Sequence, residues 1–331
     1  FIFKKISALN WTVLMKIVVI ASCSSSKSIP KELRVQAESL ERGQIKKVVS
    51  QWKRLLDQHL KHTDPIPCGQ LYQGRAIQEI KKVASELNCP VYFISAGLGL
   101  VDINEQIPAY SLTVSKGSSD YVGDKIVSET FNNQLWWQEI NSIRGNTPLH
   151  TMIKKNSDTL FLLALPANYF AMVVPELMKL TDPELSRVRL FGPAATKKNK
   201  RFDHVLMPYD NRFNGPDSPL RGTCSDFPQR ALRHFVSIID NKLTTRSPAD
   251  DSQLVSASLS KMRLPPKIIR KQASDEQISL MLQRKWAQYM GQSSSKSLRR
   301  LRDVELTACE QKRFSGIFQS VKKLMGGKNG R

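Results

Sequence analysis

The chain has 331 residues, 40% of them hydrophobic and 24% charged, which suits one sizeable folded domain and a smaller second one and excludes a disordered polyelectrolyte. Fifty Lys and Arg against 29 Asp and Glu leave a net charge of +21, the footprint of a polyanion binder, with nucleic acid favoured over a membrane surface. The cysteines Cys23, Cys68, Cys89, Cys224 and Cys309 form no C-x-x-C pair, so neither a disulfide framework nor structural zinc is expected, and a reducing cytoplasm is.

At the start, Lys4-Lys5 and an apolar run ending in Cys23 imitate a lipoprotein signal, but Lys16 interrupts the run. Met15 to Ile20 reads instead as a start that enters a buried strand, so residues 1–14 are expected to be an upstream extension. No run of about 18 apolar residues predicts a membrane span.

The first strand is predicted over Ile17–Ala21 and runs into Ala21-Ser-Cys-Ser-Ser-Ser-Lys-Ser28. This turn lacks the glycines of a phosphate-binding P-loop. Its hydroxyls and Lys27 can still face a phosphate or a base, and Ser22, Ser24 and Lys27 are taken as pocket candidates against the plainer role of a helix cap. Helical patterns follow at 33–60 and 73–87, separated by a loop with two prolines over His62–Gly69.

A second strand is predicted over Val91–Ser95, broken by Ser95-Ala96-Gly97, where small residues permit close approach of a ligand. Asp102, Glu105 and Tyr110 come next. Loops beyond the carboxyl ends of strands bind ligands in open α/β sheets, which makes the two carboxylates the first catalytic candidates and Tyr110 a base contact. After a helical pattern at 124–142, a third strand over Leu160–Leu165 leads to Asn168 and Tyr169, candidates to bond or stack on a base. A helix at 168–180 and a strand at Val188–Phe191 follow, then Thr196-Lys-Lys-Asn-Lys-Arg201. In that run Lys197, Lys198, Lys200 and Arg201 suit phosphate contacts.

A last strand is predicted at His204–Met207, then a long Pro- and Gly-bearing loop to Arg230, whose length points to function. It supplies Asp210 as a third catalytic candidate and Arg212 as a substrate contact, while the spacing of Asp226 and Arg230 also fits a helix cap with an ion pair. His62, His150, His204 and His234 have no acidic or Cys partners nearby in sequence, so no metal and no cofactor is expected.

A helix is predicted at 227–242, a Ser- and Pro-rich linker at 244–272 and a basic helical domain at 273–331. In the tail, Leu298, Leu301 and Val304 share a face, with Phe314 and Phe318 as packing partners. Arg299, Arg300 and Arg313 are expected to project towards DNA, as in a helical hairpin or helix-turn-helix. Alternating strands and helices over 15–243 predict an α/β domain with a mostly parallel sheet flanked by helices.

Ser95-Ala-Gly-Leu-Gly-Leu-Val-Asp102 with Ile107-Pro-Ala-Tyr110, Leu165-Pro-Ala-Asn-Tyr-Phe170 and Leu71-Tyr-Gln-Gly74 resembles the peroxide-stress (YaaA-like) proteins over residues 15–240. That family is similar in fold to uracil-DNA glycosylases. With a basic C-terminal module, the chain resembles antiviral DNA glycosylases that excise α-glucosylated hydroxymethylcytosine from phage genomes. The resemblance implies a monomeric enzyme that flips a modified base out of double-stranded phage DNA and leaves an abasic site. A non-catalytic DNA-binding stress protein and a tRNA base-exchange enzyme stay open as alternatives. One departure stands out: uracil-DNA glycosylases carry a catalytic Asp after the first strand, whereas Ser22–Lys27 holds no carboxylate.

Overall fold

The structure, a computed structural model, describes residues 16–127, 130–192, 199–239 and 246–326. The expected extension 1–14 and the candidates Lys197 and Lys198 therefore lie outside the described residues. The chain forms two compact units, residues 1–265 and 266–331.

Five strands build the sheet of the first unit: β1 (Lys16–Ser22), β2 (Val91–Ser95), β3 (Gly99–Asp102), β4 (Thr159–Ala164) and β5 (Val188–Phe191). Their spatial order is β3-β2-β1-β4-β5. All neighbours run parallel except β2 and β3, an antiparallel hairpin. Every residue of β4 is buried, as expected of a central strand covered on both faces.

The covering helices are α1 (Ile45–Leu60), α2 (Arg75–Leu87), α3 (Asn133–Arg144), α4 (Leu149–Lys155), α5 (Ala167–Leu177), α6 (Phe227–Ile238) and α7 (Pro248–Ser260), with single turns between. They pack in two groups, α2 against α6, and α3 against both α1 and α5. In α1 the buried residues Ile45, Val48, Val49, Trp52 and Leu56 recur at helical spacing and form one apolar stripe. Among the described residues no helix is long and apolar enough to cross a membrane.

Three expectations change. His204–Met207 is not a strand: the Val205 and Leu206 N–H groups bond back to the Phe202 carbonyl in a helical turn, and only a bridge from Leu206 to Leu190 touches the sheet. Conversely, Gly99–Asp102, expected to be a loop, is a strand. The Ser- and Pro-rich stretch expected to be a linker contains α7, which begins with Pro248 and a capping box between Ser247 and Asp250. That helix belongs to the first unit because Val255 and Leu259 are buried and Asp251 pairs with Arg189 of β5 at 2.6 Å and with Arg246 at 2.8 Å.

Among the described residues the second unit has three α-helices, α8 (Asp275–Arg284), α9 (Ser294–Asp303) and α10 (Gln311–Gly326). Its own core joins Ile278, Leu282, Leu298, Leu301, Phe314 and Phe318, with the last two rings stacked at 5.7 Å. Val304, expected on the packed face, is 59% exposed because it follows the last turn of α9.

Candidate functional site

Parallel strands bring their carboxyl ends to one edge, and at the ends of β1 and β4 lies a cleft of about 530 Å³. Its β1 side is Ser22–Ser25, and its β4 side is Pro166, Asn168 and Tyr169 at the start of α5. Gln73–Ala76 at the start of α2, Thr113 with Ser115, and Thr223, Ser225 and Asp226 before α6 complete it. Neither α2 nor α5 has a side-chain N-cap, and Gly74 before α2 adopts φ of 101°, a conformation that favours glycine. The start of α2 therefore borders the cleft without a side-chain cap, whereas in the first turn of α5 the Tyr169 N–H is taken by Asn168 Oδ1.

Asp226 is the one carboxylate among the residues described as lining this cleft. Its Oδ1 accepts from the Thr223 N–H at 2.7 Å and from Arg230 Nε at 2.8 Å, and its Oδ2 lies 3.4 Å from Arg75 Nη1. Arg230 is 1% exposed and spends its other donors on the Leu220 carbonyl, the Asn214 side chain and the Thr223 carbonyl. Its guanidinium also sits over the rings of Phe213 and Phe227. The long loop thus folds around one buried arginine, which fixes the carboxylate at the cleft. A Cβ on Gly222 would stand 2.2 Å from Arg230 Nε, so glycine is required there for close approach.

Beneath the β1 turn lies a polar cluster. Lys27 donates to the Ser24 carbonyl at 2.9 Å and stands 4.7 Å from the Tyr110 ring and 5.4 Å from that of Tyr72. Burial lowers the Lys27 pKa, with nearby Arg34 adding to the effect. Tyr110 is wholly buried and shares its hydroxyl with Ser95 and Tyr72, so it supports the cleft from below. Tyr169 does reach the cleft, its hydroxyl 3.3 Å from Cys23 Sγ, and burial pushes its phenol well above the ordinary value.

Of the expected site residues, Ser22, Ser24, Asn168 and Tyr169 meet in the cleft. Asp102 and Glu105 are elsewhere. The β2–β3 hairpin turns the chain back, so Asp102 pairs with Tyr92 near the amino end of β2. There Asp102 accepts from the Asn104 N–H at 2.8 Å, and Glu105 bonds Arg144 at 2.6 Å. Nor does the small-residue turn admit a ligand: a Cβ on Gly97 would stand 2.5 Å from the Tyr110 ring, and Trp52 and Trp136 bond the Gly97 and Ala96 carbonyls. Asp210 and Arg212 pair with each other, with Nη2 to Oδ2 at 2.8 Å, and neither lines the cleft.

Of the basic candidates, Arg201 pairs with Asp182 at 3.2 Å, and Lys200 lies in the same turn. In the second unit Arg299 is exposed, Arg300 stacks over Tyr289 and bonds Gln288, and Arg313 is held by Asp275 and the Ala273 carbonyl. Asp226, read from the sequence as part of the long functional loop and also as a helix cap with an ion pair, makes that cap and that pair and lines the cleft besides. Gln229 and Ser115 were not singled out, because nothing local marks the strand ends they face. No family model matches this chain, and no curated protein or solved structure matches it either. What the fold and the cleft define is a class by architecture: an α/β protein with a polar cleft at the carboxyl ends of its strands.

Proposed function

We propose that the first unit is a DNA glycosylase domain of uracil-DNA-glycosylase-like type, which takes a modified base of phage DNA, α-glucosylated hydroxymethylcytosine, into the cleft and excises it in antiviral defence. The observation that carries this reading is the convergence of one fixed carboxylate, one aromatic ring and several hydroxyl and amide groups in a single cleft. Hydroxyls and amides suit a polar ring bearing a sugar, and Tyr169 offers an aromatic edge beside it. Glycosidic hydrolysis passes through an oxocarbenium-like sugar: the C1′–N bond breaks, the base leaves with the bonding pair, water adds its oxygen to C1′, and the proton that water gives up ends on the departing base. Asp226 replaces Asp102, Glu105 and Asp210 as the group that would stabilise that cation. The basic second unit, with Arg299 exposed, would hold the phosphate backbone.

The test incubates the full chain with plain, hydroxymethylated and glucosylated duplexes, then reveals abasic sites with alkali. Cleavage confined to a modified duplex is expected. Asp226→Asn keeps the Oδ1 acceptor and removes the charge, and should lower the rate by about 10²–10³-fold with duplex affinity unchanged. Asp102→Asn should leave the rate within about twofold. No cleavage of any modified duplex rejects the enzyme reading and leaves a DNA-binding protein.

A further inference from the structure

A hydroxyl ordinarily rotates to donate or accept as its partner requires. Two hydroxyls of the cleft already accept a bond from an amide nitrogen, which leaves the O–H of each to find its acceptor elsewhere. Gln229, in the first turn of α6 and 1% exposed, donates from Nε2 to Ser22 Oγ at 3.2 Å and to the Ala164 carbonyl at 3.3 Å. A carbonyl can only accept, so Ala164 decides which end of the amide is nitrogen. Ser22 Oγ is thereby committed as an acceptor towards Gln229. Its proton has no acceptor among the described residues and is left for the occupant of the cleft that Ser22 lines. The arrangement leaves Gln229 Oε1 buried with no partner. An orphaned buried acceptor is destabilising, and its persistence calls for a functional reason.

A second amide repeats the device. Asn168 Oδ1 accepts from the Tyr169 N–H at 3.1 Å, which assigns Nδ2, and Nδ2 donates to Ser115 Oγ at 2.6 Å. Ser115 also lines the cleft, and its proton likewise has no acceptor among the described residues. From these two relays we infer that Gln229 and Asn168 are positioning residues that turn the O–H of Ser22 and of Ser115 towards the occupant of the cleft as hydrogen-bond donors. The cleft then selects an acceptor-bearing heterocycle edge, such as N3 and O2 of cytosine. This rests on the base-binding reading of the cleft and adds the polarity of the edge it recognises.

The experiment compares calorimetric binding of 2′-deoxycytidine and of 3-deaza-2′-deoxycytidine, which lacks the N3 acceptor, to the full chain. Cleavage of the glucosylated duplex is measured beside it. The wild type should prefer deoxycytidine about tenfold, the factor one net hydrogen bond supplies. Gln229→Glu gives Ser22 a carboxylate to donate to and reverses the hydroxyl, and Asn168→Asp does the same for Ser115. The substitution at the relay whose serine faces N3 should cut the preference to about twofold or less, a ratio that general loosening of the fold would not move, and the other should weaken binding of both nucleosides alike. Should Gln229→Glu fail to fold, Asn168→Asp and Ser22→Ala decide. Equal binding of the two nucleosides by the wild type, or a preference that survives the substitutions, overturns the inference, and continued duplex cleavage leaves the glycosylase reading standing. Binding of neither nucleoside with cleavage intact overturns the inference alone; loss of both overturns the two readings together.

Discussion

Tyr110 shows what a single buried hydroxyl does in this core: it lies 2.5 Å from Ser95 Oγ and 2.7 Å from the Tyr72 hydroxyl, while Lys27 caps the ring face. Tyr110→Phe removes one shared partner from both neighbours, and an expected loss of about 1–3 kcal/mol in urea unfolding follows from the desolvated groups left behind. Duplex affinity should not change, since the ring supports the cleft from below. His234 gives a pH dependence. It is buried, with Nδ1 2.7 Å from the Tyr209 hydroxyl and Nε2 3.3 Å from Ser258 Oγ, and burial holds it below the ordinary value of 6.5. The unfolded chain therefore takes up a proton before the folded one does, so stability should fall as pH drops below 6.5 and stay flat above it. His234→Gln should shrink that acid-side decline in the urea midpoint; an unchanged decline would assign it to other groups.

At the scale of elements, α7 depends on an ion pair with no solvent to screen it. Asp251 is 0% exposed and Arg189 1%, and Arg189 also bonds the Ser186 and Arg246 carbonyls. Asp251→Ala would strand two cations, one of them buried, and should cost about 3–5 kcal/mol, read as a lower unfolding midpoint of the whole chain. A loss below about 1 kcal/mol would mean that α7 is held by Val255 and Leu259 alone. This helix was hidden from sequence reading because Ser, Asp and Pro mark loops and helix starts alike, and the buried Asp reads as polar until its arginine partners are known. The β2–β3 hairpin misled in the opposite way. Its apolar residues and small turn were legible, but whether the chain continued outward or turned back was not, and that choice moved Asp102 and Glu105 away from the cleft.

At the scale of the molecule, charge is unevenly shared: residues 266–331 carry 15 Lys and Arg against 5 Asp and Glu. Phosphate contacts release counterions, so duplex affinity should fall with salt at a log–log slope of about −0.9 per phosphate contacted. Removing residues 266–331 should flatten that slope and weaken binding to every duplex, modified or plain. Arg299→Ala should reproduce more of this effect than Arg313→Ala, because Arg313 is already engaged by Asp275 and the Ala273 carbonyl. If the truncated chain binds as tightly and as salt-sensitively as the whole, the tail serves another partner.

The sequence by itself determined the α/β class, four of the five sheet strands, the basic character of the tail and the serine turn after β1. Each of these is a local matter, decided by apolar runs, helical spacing and composition over a few residues. Only the tertiary structure decided which carboxylate meets that turn. Asp226 follows Ser22 by some two hundred residues, and it reaches the cleft because Arg230, buried against Phe213 and Phe227, draws the long loop to the strand ends. The pair itself was legible from its spacing of four residues, but that its carboxylate meets the serine turn was not: that depends on burial, and burial belongs to the packed chain.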